Sequence, residues 1–163
     1  MDKSTRYLEM VEERKNCARC NGLVNPAACK CEFDSDEIGA WTLWQGNLNA
    51  ETMVVGQDWG DTAYYLKHRG REGKNNPTNL ALGELLNIIG VTVGQPDDTK
   101  SDRGVAFFTN AVLCLKTGGL QGSVEADWFR NCGERFLKPT IDCVRPKILV
   151  TLGEKAYRAV ARS

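Results

Sequence analysis

Histidine is nearly absent from this chain of 163 residues: it has one, at position 68. Any step that needs an imidazole therefore has a single candidate. Long apolar runs are missing too. No stretch approaches the roughly 20 residues needed to span a bilayer, and the opening MDKSTRYLEMVEERKN lacks the apolar region of a secretory signal. The expectation is a cytoplasmic protein with no membrane partner. Neither sign of charge is in excess, since 21 Lys and Arg balance 21 Asp and Glu. No global field draws nucleic acid to the protein, and such a contact has to come from a local patch. Repeats and low-complexity segments are lacking as well. The length and the 42% hydrophobic content fit one domain over residues 1–163, expected to be a monomer.

Cysteine, by contrast, is abundant. Seven cysteines are an odd number to pair as disulfides, and in a reducing compartment they point towards metal or cluster ligation. Cys17 and Cys20 form a CxxC pair directly after a helical stretch, YLEMVEE, over 7–13. Cys29 and Cys31 follow closely, and four sulfurs within fifteen residues, Cys17, Cys20, Cys29 and Cys31, could hold a tetrahedral zinc. Cys143 lies in an apolar helical context and reads as core. Residues 21–49, with scattered Gly, Pro and Asp, read as irregular.

Apolar runs at 51–56, 105–113 and 147–153 read as buried parallel strands, each ending near a glycine or polar residue. Between them, Leu80, Leu82, Leu85, Leu86 and Ile89 recur at helical spacing up to Gly90. Ser123 is a plausible N-cap for a helix through Trp128, Phe129, Cys132 and Phe136, with Pro139 kinking or restarting it. Residues 154–162 read as a closing helix. This alternation predicts an α/β fold with a parallel sheet, whose ligands bind beyond the carboxyl ends of the strands. Asp58 and Asn110 both fall near that edge. Read alone, Asp58 could equally be a solvated turn residue, and Asn110 a strand-end backbone cap.

Three segments carry a resemblance. Gly56-Gln57-Asp58 is similar to the start of the GQDPYH motif of family 1 uracil-DNA glycosylases. Thr109-Asn110-Ala111-Val112-Leu113-Cys114 resembles both their LLNAVL strand and the TNVVKC segment of the iron-sulfur family 4 enzymes, and 146–153 resembles the PKVIVALG strand of the latter. The likeness to the uracil-DNA glycosylase superfamily runs from about residue 7 to residue 160. It implies a three-layer αβα sandwich with a short, mostly parallel sheet of strand order 2-1-3-4, the last strand missing here.

The resemblance also implies roles. Cys17, Cys20, Cys114 and Cys132, with 17 residues between the last two, match the layout that holds a 4Fe-4S cluster in family 4, and four thiolates complete the usual ligand set. Zinc is the alternative cofactor. Asp58 would be catalytic, orienting a water and stabilising the cationic sugar that forms when the base departs. Gln57 would line the uracil pocket. Asn110 would read the base, because its carboxamide accepts from uracil N3–H and donates to O4, whereas cytosine presents the opposite pair.

Departures from the family patterns are equally visible. Gly60 and Ala63 stand where the families have a bulky guard against the thymine methyl, so Tyr64 or Tyr65 is the candidate substitute at the uracil site. Thr78 follows Pro77 where family 4 has a stacking Phe. Lys67, His68, Arg69, Arg71 and Lys74 form the densest basic run, a patch able to grip phosphates around a flipped nucleotide, although such runs are often merely solvated. The family's HPS segment would follow the last helix, and the expectation is a chain truncated before it or a degenerate member that binds uracil-containing DNA without cleaving it. A zinc-stabilised α/β interaction domain is the further alternative.

Overall fold

The structure is a computed structural model that describes residues 2–39, 47–73, 75–93, 106–119 and 121–163. Helix α1 (Lys3–Lys15) is longer than the sequence pattern suggests, because Asp2 caps it by accepting from the Ser4 N–H at 2.7 Å. Segment 21–33 is more regular than expected. It contains β1 (Leu23–Val24), α2 (Pro26–Cys29) and a single 3₁₀ turn. Asn25 organises it, capping α2 through Oδ1 while its Nδ2 donates to the carbonyls of Arg14 and Cys17.

The central strand is β2 (Thr52–Asp58), which carries Asp58 as its last residue. It pairs in parallel with β3 (Ala106–Val112) on one side and β5 (Ile148–Thr151) on the other. The spatial order β3-β2-β5 is the first part of the expected order, and no further strand pairs with β5 among the described residues. Two core clusters cover the two faces of this sheet. Met53, Val55, Phe107 and Ala111 pack with Tyr7, Met10 and Val11 of α1 and with Phe136, Leu137 and Ala159. Val54, Ala106 and Phe108 pack with Trp59, Tyr65, Leu82 and Leu86. Alternation along β2 and β3 thus buries both faces, as a parallel sheet between helical layers requires, whereas β5 at the edge leaves Ile148 and Leu149 exposed.

Helix α3 (Thr62–Lys67) is capped by Asp61, and α4 (Pro77–Ile88) by Asn76. The leucines of α4 do not all turn inwards. Leu82 and Leu86 are buried with Asn79, while Leu80, Leu85, Ile88 and Ile89 are exposed. A short strand β4 (Leu115–Lys116) pairs antiparallel with β1. The long helix starts two residues later than Ser123 suggests. The α5 segment (Ala126–Cys132) has Glu125 at its N-cap position, and the Ser123 hydroxyl donates to the Glu125 side chain instead of to the helix end. A π-helical segment, Gly133–Leu137, joins α5 to α6 (Lys138–Val144), which restarts with Pro139 in its first turn. Helix α7 (Glu154–Ala161) closes the described fold. No described helix is long and apolar enough to cross a membrane.

Candidate active site

The register places Gly56 opposite Asn110, and Asp58 opposite Val112. By strand alternation Asp58 and Asn110 project to the face that carries Val54 and Phe108, two residues apart at the carboxyl end of adjacent strands. Gly56 contributes no side chain beside Asn110. Asn110 is 2% exposed, and among the described residues its Nδ2 has no hydrogen-bond partner. A buried amide donor left unpaired is costly.

Asp58 is held at both oxygens. Gln57 Nε2 donates to Oδ2 at 2.6 Å, and Lys116 Nζ lies 3.1 Å from Oδ1. Both side chains of the ion pair are nearly buried, at 5% exposure for Lys116 and 7% for Asp58. Nothing in the sequence marked Lys116, which lies two residues beyond the strand-end cysteine. Among the described residues, Trp59 Nε1 and Asn79 Nδ2 are also buried without a partner, as are Arg14 Nε and Thr140 Oγ1 elsewhere in the fold. Trp59 follows Asp58 directly. Asn79 lies one turn before Leu82, on the buried face of α4.

The two tyrosines separate. Tyr65 is fully buried in the second core cluster, its hydroxyl 3.4 Å from the Pro26 and Lys30 carbonyls. Burial pushes its phenol well above the ordinary range. Its ring is committed to packing. Tyr64 is half-buried and stands between Trp59 and His68, with ring centroids 5.2 Å and 4.2 Å away. Its hydroxyl receives hydrogen bonds from the Gly73 N–H and Asn76 Nδ2. The only histidine is therefore stacked beside Tyr64 at the C-terminal cap of α3.

Lys67, at the end of α3, and Arg69 and Arg71, on the turn that follows, are exposed. Arg69 has a left-handed backbone (φ 55°) and sets its guanidinium 5.5 Å from the Phe33 ring centroid. Gly70 makes this turn possible, because at φ 71° a Cβ there would stand 2.0 Å from the Phe33 carbonyl oxygen. Lys74, Trp41 and Trp44 lie outside the described residues.

The cysteines divide in the same way. Cys17, Cys20, Cys114 and Cys132 all line one cavity of about 330 Å³, together with Arg14, Asn131 and Phe136. Cys114 and Cys132 are buried there, and burial is the main cause that raises both thiols, with Cys132 pushed up to about 12. The neighbouring cysteines raise Cys114 further by mutual charge repulsion. Asn131 Nδ2 lies 3.4 Å from Cys20 Sγ. Cys132 is the residue from which the π-helical segment departs. Cys29 instead packs against the second core cluster, and Cys31 is exposed. Cys143 is buried in the first cluster. Among the described residues no three His, Cys, Asp or Glu side chains converge closely enough to hold a single metal ion.

The cavity is secured from several sides. Arg14, 1% exposed, donates to Asp34 at 2.7 and 2.9 Å and to the Ser35 and Glu37 carbonyls, which ties the end of α1 to the segment beyond the cysteine loop. Trp128 Nε1 donates to the Asn21 carbonyl, and its ring lies against Gly22.

A small parallel sheet between helical layers, with a carboxylate and a buried carboxamide on adjacent strand ends and four thiols around one cavity, defines a layered α/β domain. The chain belongs to the uracil-DNA glycosylase superfamily, whose sequence profile matches residues 43–163. It is similar to the type-5 uracil-DNA glycosylase of Pyrobaculum aerophilum, with 30% identity over 166 aligned positions that cover 96% of this chain and 70% of that protein.

Proposed function

We propose that this chain excises uracil from DNA by hydrolysing the N-glycosidic bond of a deoxyuridine flipped out of the base stack. The observation that carries this reading is the pairing of Gly56 with Asn110 beside Asp58, with Asn110 Nδ2 buried and unpartnered. In the reaction the bond from C1′ to N1 breaks and its electron pair leaves on uracil. Water bonds to C1′, and its proton passes to the departing base or to solvent. Asp58 serves as a fixed acceptor that orients this water and opposes the positive charge on the sugar. Asn110 donates to uracil O4 and accepts from N3–H. Tyr64, against Trp59, is the wall that a thymine methyl would meet. Lys67, Arg69 and Arg71 are suited to the phosphates on either side of the extruded nucleotide.

The cavity suits a 4Fe-4S cluster held by Cys17, Cys20, Cys114 and Cys132. Four thiols around one space of about 330 Å³ supply the usual ligand set of such a cluster, with zinc as the alternative. Bound there, the group would cross-link α1, the strand-end loop and α5. Uracil release from single-stranded uracil-containing DNA, measured against Asp58→Asn, tests the enzymatic reading. Release that falls by about 10² or more in the variant is the expected result. DNA binding with equal, negligible release from both proteins favours a silent binding module.

A further inference from the structure

We infer that Lys116 is a positioning residue for hydrolysis, acting through Asp58; this deepens the glycosylase reading and rests on it. The ammonium stands 3.1 Å from Asp58 Oδ1 and 3.3 Å from the Gly122 carbonyl. Its backbone is fixed independently on two sides. The Lys116 N–H donates to the Gly60 carbonyl at 3.1 Å, and Lys116 pairs with Leu23 across the β1–β4 ladder. The side chain therefore reaches the end of β2 from a rigid base, and Gln57 takes the other carboxylate oxygen.

Such a pair is poorly explained as a stabilising device. Taking two charges out of water costs about what their attraction returns, and a well-packed apolar pair often serves a fold as well. What the pair does provide is orientation. With one oxygen held by Lys116 and the other by Gln57, the carboxylate cannot rotate, and its remaining lone pairs keep one direction. A water that attacks C1′ needs that fixed acceptor, since small misplacements of reacting groups cost large factors in rate. Without Lys116, Asp58 would turn towards solvent or towards any cation nearby.

Single-turnover excision of uracil from a single-stranded oligonucleotide, with enzyme in excess, decides the matter for wild type, K116M, K116R, D58N and the double variant D58N/K116M. The rate at saturating enzyme should fall by up to about 100-fold in K116M, and by at least about tenfold, with half-saturation changed less than about threefold. K116R should recover most of the loss, as a merely apolar role would not allow. Because Lys116 acts through Asp58, the double variant should be no slower than D58N alone. That comparison also stands if K116M, with its unpaired buried carboxylate, fails to fold. An active wild type with K116M within threefold of it overturns the inference alone, as does a double variant at least tenfold slower than D58N. A wild type that releases no uracil overturns the glycosylase reading, and the inference with it.

Discussion

Replacing Asn110 by Asp exchanges an amide donor for a second oxygen at a site that has no other partner for it. Uracil O4 would then face an acceptor, and excision should fall by at least about 10², in line with the 1–3 kcal/mol lost per unpaired group and the added charge repulsion. Weak activity on cytosine should appear, because a carboxylate accepts from its N4 donor. Steady-state assays on matched uracil and cytosine oligonucleotides check both outcomes, and unchanged uracil activity would remove Asn110 from the base-reading role. The tyrosines give a second contrast. Tyr64→Ala should raise the ratio of thymine to uracil release, whereas Tyr65→Ala should cost about 3–5 kcal/mol of stability as a core truncation, seen in denaturant unfolding. Asp58, Asn110 and the four cysteines of the cavity were readable in the sequence because motif and spacing single them out. Lys116 and Asn79 were not. A lone lysine after a strand and an asparagine in a leucine-rich helix carry no local signal; Lys116 meets Asp58, and Asn79 is buried, only once the chain has folded.

The strands β2, β3 and β5 announced themselves as apolar runs; β2 and β3 are apolar because both of their faces meet a helical layer, whereas β5 carries its apolar run at a sheet edge with Ile148 and Leu149 exposed. The segment 21–33 did not announce itself. Its two-residue strand, four-residue helix and 3₁₀ turn are held by Asn25, Arg14 and Asp34 side chains rather than by an apolar period. Helix α4 misled differently, since its leucines repeat at helical spacing while only Leu82 and Leu86 of them are buried. The turn after α3 is the element most sensitive to one atom. Gly70→Ala should destabilise the chain by more than about 2 kcal/mol, because the left-handed backbone and the contact with the Phe33 carbonyl both oppose a Cβ. Thermal unfolding followed by circular dichroism checks this. A melting temperature equal to the wild type would mean that the turn rearranges at little cost.

Across the whole molecule, charge cancels while function needs attraction to phosphate. With no net field, binding to single-stranded DNA should depend on few contacts. Lys67→Ala together with Arg71→Ala should reduce the slope of log affinity against log salt by about 1.4, or about 0.7 for each phosphate lost, as fluorescence anisotropy over a salt series would reveal. A slope that does not move would take this turn out of the DNA interface. Cys17→Ser with Cys20→Ser should abolish the visible absorbance of an iron-sulfur chromophore and lower the melting temperature by at least about 5 °C, since each kcal/mol shifts a domain of this size by about 2–4 °C. Colourless wild-type protein prepared anaerobically with iron and sulfide would exclude the cluster.

The two-residue ladder between Leu23–Val24 and Leu115–Lys116 should set the order in which the native state opens. It joins the CxxC loop to the strand-end loop, so the loop cannot swing out until the ladder has parted. Parting the ladder also removes one of the two restraints on the backbone from which Lys116 reaches Asp58. The expectation is that the cysteine cavity and the Lys116 end of this ladder open together, below the global unfolding of β2, β3 and β5. In native-state hydrogen exchange the ladder amides should share a single opening free energy below that of the β2 and β3 amides. Serine at Cys17 and Cys20 should lower the first value and leave the second nearly unchanged. If the ladder exchanges only by global unfolding in both proteins, the cavity and the catalytic edge do not open as a separate unit.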